Sequence, residues 1–108
     1  EVQVHFRTMG AVGLVCFLYQ RGSREPVAAL APLRKIDAEA MARHVVASRA
    51  GDQDPDWAAL ASLLRNASYM VSANPRLVSV ELNRVVVGNH GEGALVVDAR
   101  ARLSPSRN

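Results

Sequence analysis

Glu81, Asn83 and Asp98 are the residues of this sequence whose types and spacing suit a metal ion and a phosphate. In Val78-Ser79-Val80-Glu81-Leu82-Asn83, strand alternation places Val78, Val80 and Leu82 on one face and Ser79, Glu81 and Asn83 on the other. The loop Gly88-Asn89-His90-Gly91-Glu92-Gly93 follows, and its glycines permit the positive backbone angles of a reversal before a second apolar run from Ala94 to Leu103. Symmetric pairing about the loop sets Val87 opposite Ala94, and the same register sets Asn83 opposite Asp98 and Glu81 opposite Arg100. Directly opposed side chains share a face with Cβ atoms about 4.5–5.5 Å apart, close enough for one ion to touch both. Magnesium takes hard oxygen ligands and leaves positions to water and substrate phosphates, which suits an Asn carbonyl, an Asp carboxylate and a nearby Glu. Spacing alone nevertheless favours a plainer reading: a solvated sheet face on which Glu81 and Arg100 make a surface ion pair worth under about 1 kcal/mol.

The elements that must position these residues are legible from period. Val2, Val4 and Phe6 alternate with Gln3 and His5 as a short strand, which Arg7-Thr8-Met9-Gly10 interrupts. Val12 to Gln20 is a longer β-favouring run, Arg21-Gly22-Ser23-Arg24 is turn chemistry, and Pro26 to Leu30 stays extended up to Pro32, giving an antiparallel meander. The period then lengthens. Asp37 is expected to cap a helix from about Ala38 to Ala50, with Ile36 and Met41 as a hydrophobic staple and Gly51 as its end. A second helix is expected with Asp54 as cap and Pro55 in the first position, its stripe running Trp57, Leu60, Ala61, Leu64, Ala67 and Val71 and stopping before Asn74-Pro75. Trp57 and Met70 are read as core. The fold class is α+β: an antiparallel sheet of about five strands with two helices packed on it, in the order βββααββ.

Composition narrows the functional classes. A chain of 108 residues, 49% hydrophobic, supports one small core, read as a single domain over residues 1–103 with 104–108 as a flexible tail. Thirteen basic residues against ten acidic ones are spread along the chain without interleaved aromatics, which argues against nucleic-acid binding. Cys16 is the single cysteine and lies in an apolar run, so no disulfide framework exists, and the three scattered histidines offer no zinc-ligand spacing. A cytoplasmic setting and no membrane contact are expected, because the apolar run is about half the length of a spanning helix. A start at Glu1 rather than Met suggests a piece of something longer.

The stretch Glu81-Leu82-Asn83-Arg84-Val85-Val86-Val87, with Ala94-Leu95-Val96-Val97-Asp98-Ala99-Arg100 beyond the glycine loop, resembles the closing hairpin of the ATP-grasp domain in NDP-forming acid–CoA ligases. These include succinyl-CoA synthetase β subunits and ADP-forming acetyl-CoA synthetases. Ala29-Leu30-Ala31-Pro32-Leu33 is similar to the stretch that precedes the family's helices, and the resemblance runs from about Val12 to Leu103. It implies that Asn83 and Asp98 hold the Mg²⁺ of bound ATP and that Glu81 faces the phosphate-transfer region as the catalytic residue. The implied reaction passes a phosphoryl group through a phosphohistidine to an acyl phosphate that CoA captures. Arg84 stands where the family has Pro, and the glycine-rich segment between the first strands is shortened to Thr8-Met9-Gly10-Ala11. The resemblance covers only half of such a site. It implies partners in the remainder of the ATP-grasp domain and a CoA-binding domain or subunit, no activity as an isolated fragment, and leaves homo-oligomerisation open. A non-catalytic ATP-grasp-like assembly or regulatory domain is the alternative, and Arg84 favours it.

Overall fold

The computed structural model describes residues 1–23, 25–47 and 54–105. Strand β1 (Val2–Met9) is followed by a single 3-10 turn, β2 (Gly13–Gln20), β3 (Val27–Leu30), α1 (Lys35–Ala47), α2 (Trp57–Ser72), β4 (Leu77–Val87) and β5 (Ala94–Leu103). The strands form one antiparallel sheet in the order β3-β2-β1-β4-β5, so the α+β class and the βββααββ succession are as the pattern predicts. β1 becomes the central strand because the chain returns from α2 to its free edge. It extends through Arg7 and Thr8 to Met9, since pairing with β2 down to Gly13 holds residues that the local pattern reads as a turn.

The core lies between one face of the sheet and the two helices. Val2, Val4 and Phe6 of β1, Cys16 and Leu18 of β2, and Val80, Leu82, Val85 and Val87 of β4 point into it. Ala38, Met41, Ala42 and Val45 of α1 meet them, with Leu60, Ala61, Leu64 and Val71 of α2. Burial pushes the Cys16 thiol up to about 12, so it packs as a small hydrophobe and stays protonated. Ser68 is the polar exception on α2. Its buried hydroxyl accepts the Leu33 N–H at 2.7 Å, which ties the Leu30–Leu33 segment to the helix and seats Leu33 in the core.

Several boundaries differ from expectation for physical reasons. α1 begins at Lys35, so Asp37 lies within its first turn; its carboxylate accepts the Arg34 N–H at 3.3 Å and pairs with the Arg34 guanidinium at 2.9 Å. Ile36 is 67% exposed and staples nothing. The expected helix end at Ala50 and Gly51 lies outside the described residues. α2 is capped by Asp56 rather than Asp54, and Pro55 pairs with Asn89 in an isolated bridge instead of opening the helix. Tertiary contacts decide this. Asp56 Oδ1 accepts the Ala59 N–H at 3.2 Å, while Oδ2 accepts the N–H groups of Gly91 and Gly93 at 3.1 and 2.9 Å. One buried carboxylate thus caps the helix and pins the hairpin loop, whose Gly91 and Gly93 adopt φ of 83° and 85° to aim their N–H groups. Those N–H donors, Gly93 first and Ala59 next, hold the Asp56 pKa below its ordinary value. Trp57 is half-buried beneath the Arg43 guanidinium, 4.0 Å from the ring centroid, and Met70 is 49% exposed rather than core.

Candidate functional site

The face of the sheet opposite the helices carries the polar residues in cross-strand rows. Arg7 of β1, Ser79 of β4 and Arg102 of β5 form one row, and His5, Glu81 and Arg100 form the next. Glu81 is therefore opposite Arg100, as the hairpin register predicts. No ion pair joins them among the described residues, so Glu81 is not the surface salt-bridge partner that spacing alone suggested. The His5 ring nitrogen Nε2 lies 3.3 Å from Ser79 Oγ. Burial lowers the His5 pKa, the nearby Glu81 carboxylate opposes that shift, and Arg7 adds to it.

The third row departs from simple pairing. Val2 pairs with Val85 and Val4 with Leu82, so two residues of β4, Asn83 and Arg84, oppose the single Gln3 of β1. On the other side Arg84 pairs with Asp98 while Leu82 pairs with Ala99 and Val85 with Val96, leaving Asn83 and Val97 without direct partners. The expected direct Asn83–Asp98 opposition is thus displaced by one residue. Its cause is a pair of matched bulges, one in each strand, that cancel and restore the original register beyond them. Bulges re-aim side chains, and this one turns both Asn83 and Arg84 away from the core between buried Leu82 and buried Val85.

The result brings Asn83 and Asp98 into one hollow of about 210 Å³, which Gln3, Arg21 and Arg84 also line. Asn83 Oδ1 accepts an N–H of Gln3 at 3.0 Å, which fixes the amide so that its oxygen faces β1 and leaves the second lone pair available. Arg21 reaches the hollow from the end of β2 and pairs with Glu1, whose carboxylate also lies 4.0 Å from Arg84. The Arg21 partnership holds the Glu1 pKa below its usual value. Glu81 lies outside this hollow, in a second one of about 590 Å³ with His5, Arg7, Thr8, Ser79 and Arg102. The three predicted residues therefore share a face but divide between adjoining hollows.

Sequence reasoning missed Gln3, Arg21, Arg84 and His5. The signal for Arg84 was present: the apolar alternation Val78, Val80, Leu82 resumes out of phase at Val85 and Val87, which marks an extra residue in the strand. Gln3, Arg21 and His5 had no such signal, because their approach to β4 depends on β1 lying between β2 and β4.

The described residues offer no cluster of three His, Cys, Asp or Glu side chains able to hold a metal alone. One Asn oxygen, one carboxylate and two guanidiniums in a single hollow suit a cation that arrives with phosphates. No helix of the described residues is long and apolar enough to cross a membrane.

The profile of the ATP-grasp domain matches residues 20–103. No curated protein matches the chain. Among solved structures, PH1788 from Pyrococcus horikoshii superposes with a TM-score of 0.89 at 24% identity, over 98% of this chain and 49% of that one. ACD1 of Ca. Korarchaeum cryptofilum, solved with coenzyme A, gives 0.83 at 25% identity, over 96% of this chain and 50% of that one. A dinucleotide-forming acetyl-coenzyme A synthetase 1 from the same organism gives 0.83 at 24%, over 96% and 53%. That protein was captured with coenzyme A and Mg-AMPPCP, its phosphohistidine segment pointing towards the nucleotide site. This chain spans about half the length of the solved chains it matches.

Proposed function

The chain belongs to the ATP-grasp domain family, and on that premise we propose that it forms the metal- and phosphate-facing half of the nucleotide site of an NDP-forming acid–CoA ligase. The observation that carries this reading is the double bulge, which gathers Asn83, Asp98, Arg84 and Arg21 around one hollow on the uncovered face. Residues 1–103 act as a single subdomain in this reading. The remainder of the ATP-grasp domain and a CoA-binding domain or subunit complete the cleft, consistent with matched chains about twice as long. A cytoplasmic setting fits a chain whose lone thiol is buried and protonated.

In this assignment Asn83 and Asp98 hold the Mg²⁺ that accompanies ATP. Bound there, the ion supplies neutralisation of the phosphate charge that phosphoryl transfer requires. The chain's own residues do the rest. Gln3 locks the Asn83 amide in a ligating orientation, so no side-chain order must be created when nucleotide arrives. Arg84 and Arg21 present guanidinium donors to phosphate oxygens, with Arg21 exchanging its Glu1 partner for them. Glu81, in no ion pair among the described residues, faces the adjoining hollow, where a phosphorylated side chain of the completing half would approach.

The test is mutation within the intact protein that carries these residues. Asn83→Ala and Asp98→Ala are expected to cut Mg²⁺-nucleotide-dependent turnover by about 10² or more, the scale of losing one preorganised electrostatic contact. Stability should stay within about 0.5 kcal/mol of wild type, since neither side chain is in the core. Wild-type rates in both variants would refute the metal assignment, and absence of Mg²⁺-nucleotide-dependent turnover in the unmutated protein would favour a non-catalytic assembly or regulatory domain, the reading that Arg84 in place of the family's Pro supports.

A further inference from the structure

We infer that Asp56 is a positioning residue for the Asn83–Asp98 pair: from the N-cap of α2 its carboxylate holds the start of β5, and with it the register that keeps Asp98 beside Asn83 and Arg84. What this does for Mg²⁺ rests on the nucleotide-site reading; the tie itself does not. The hairpin tip is held on both sides by the segment that enters α2. Backbone holds the β4 side: the Asp56 N–H donates to the Gly88 carbonyl at 2.9 Å, the His90 N–H donates to the Asp54 carbonyl at 2.6 Å, and Pro55 bridges to Asn89. The Asp56 side chain reaches across to the β5 side, where Oδ2 accepts the N–H groups of Gly91 and Gly93 at 3.1 and 2.9 Å. Bonds to an ionised carboxylate are about twice as strong as neutral ones, so this is the firmer of the two ties for each bond made.

β5 needs such a tie because little else fixes it. It is an edge strand paired with β4 alone, its Ala94 and Val96 pack against the core, and from Val97 to Leu103 it is exposed. Three rungs, Val87–Ala94, Val86–Leu95 and Val85–Val96, separate the tip from the irregular stretch where Asp98 meets Arg84. A strand end held by so few rungs frays from its tip, and the bulge interrupts the ladder that would otherwise hold Asp98 from the far side. The loop passes the tie on because it has no slack. The Gly88 N–H donates to the Gly93 carbonyl at 2.9 Å, and a Cβ on Gly88 would lie 2.7 Å from Glu92 Cβ. About 17 Å of extended chain runs from Gly93 to Asp98, so Asp56 acts through β5 and touches neither ion nor phosphate.

Asp56→Ser in the intact protein separates the tie from the cap. A serine hydroxyl still accepts the Ala59 N–H and caps α2, but it is uncharged and too short to hold Gly91 and Gly93 as well. Hydrogen–deuterium exchange read by mass spectrometry is expected to quicken about tenfold over residues 94–98 and to keep its wild-type rate over β1. The Mg²⁺ concentration for half-maximal nucleotide-dependent turnover is expected to rise about tenfold, the low end of what losing a ligand-orienting partner costs. Ser68→Ala weakens the fold at a bond to Leu33, outside the hairpin, and is expected to leave that concentration unchanged. Wild-type exchange over residues 94–98 would overturn the proposal, as would an unchanged Mg²⁺ requirement beside quickened exchange, or an equal rise in Ser68→Ala. Wild-type turnover in Asn83→Ala and Asp98→Ala sinks the ligase reading instead, and exchange over residues 94–98 then still decides whether Asp56 holds β5.

Discussion

The two faces of β1 share one backbone and one set of ladder hydrogen bonds, yet they do different work. Val2, Val4 and Phe6 are each at most 4% exposed beneath the helices, while Gln3, His5 and Arg7 between them face the uncovered side. Each fully buried side chain of that kind stabilises the fold by about 1.5–3 kcal/mol, whereas exposed ion pairs contribute under about 1 kcal/mol. Stability therefore comes from the covered face, which leaves the other free to collect arginines, a histidine and carboxylates that add little to folding. Where the strict alternation fails, at Asn83 and Arg84, the exception adds polar groups to the open face and takes nothing from the core, since Leu82 and Val85 both stay buried.

Substitutions that cross from one face to the other sharpen this contrast. Phe6→Ala removes a side chain with no exposed surface and is expected to cost about 3–5 kcal/mol, read as a fall in the denaturation midpoint. Ser68→Ala sits on the same side but acts through one bond. It leaves the buried Leu33 N–H without its acceptor and is expected to cost about 1–3 kcal/mol. A neutral Ser68→Ala would mean that water or backbone replaces the hydroxyl and that the Leu30–Leu33 segment is held by packing alone.

The covered face was the more legible in the sequence, because period reports burial directly. The alternation of Val2, Val4 and Phe6 and the helical stripe Leu60, Ala61, Leu64 and Val71 both name true core residues. Met70 misled because the stripe of a half-covered helix gives no edge, and its flank remains in solvent. Capping misled for a different reason. Asp54 and Asp56 are equivalent locally, and only the N–H groups of Gly91 and Gly93 on a distant hairpin select Asp56. On the open face the residue types of Glu81, Asn83 and Asp98 were legible but their grouping was not. The bulge and the strand order decide which residues share a hollow, and the strand order is fixed by β4 returning to β1.

His5 lies on the open face beside Glu81, and its titration gives the smallest but most direct measure of how that face differs from the covered one. Partial burial denies the protonated ring the solvation it has in water; this outweighs the opposing Glu81 carboxylate, and Arg7 reinforces it. The folded pKa therefore lies below the roughly 6.5 of an unfolded histidine, and the unfolded chain binds this proton more readily. The resulting contribution is complete above about pH 6.5 and is lost as pH falls from there through the folded value. The His5 ring resonances should report that depressed midpoint. Glu81→Gln removes the one group holding the pKa up and should lower it further, while Arg7→Gln should raise it. A midpoint above 6.5 in the wild type would mean that the Glu81 charge dominates burial. The row His5, Glu81 and Arg100 would then be an ion-pair network that stabilises the sheet, and the division of labour between the faces would fail at its centre.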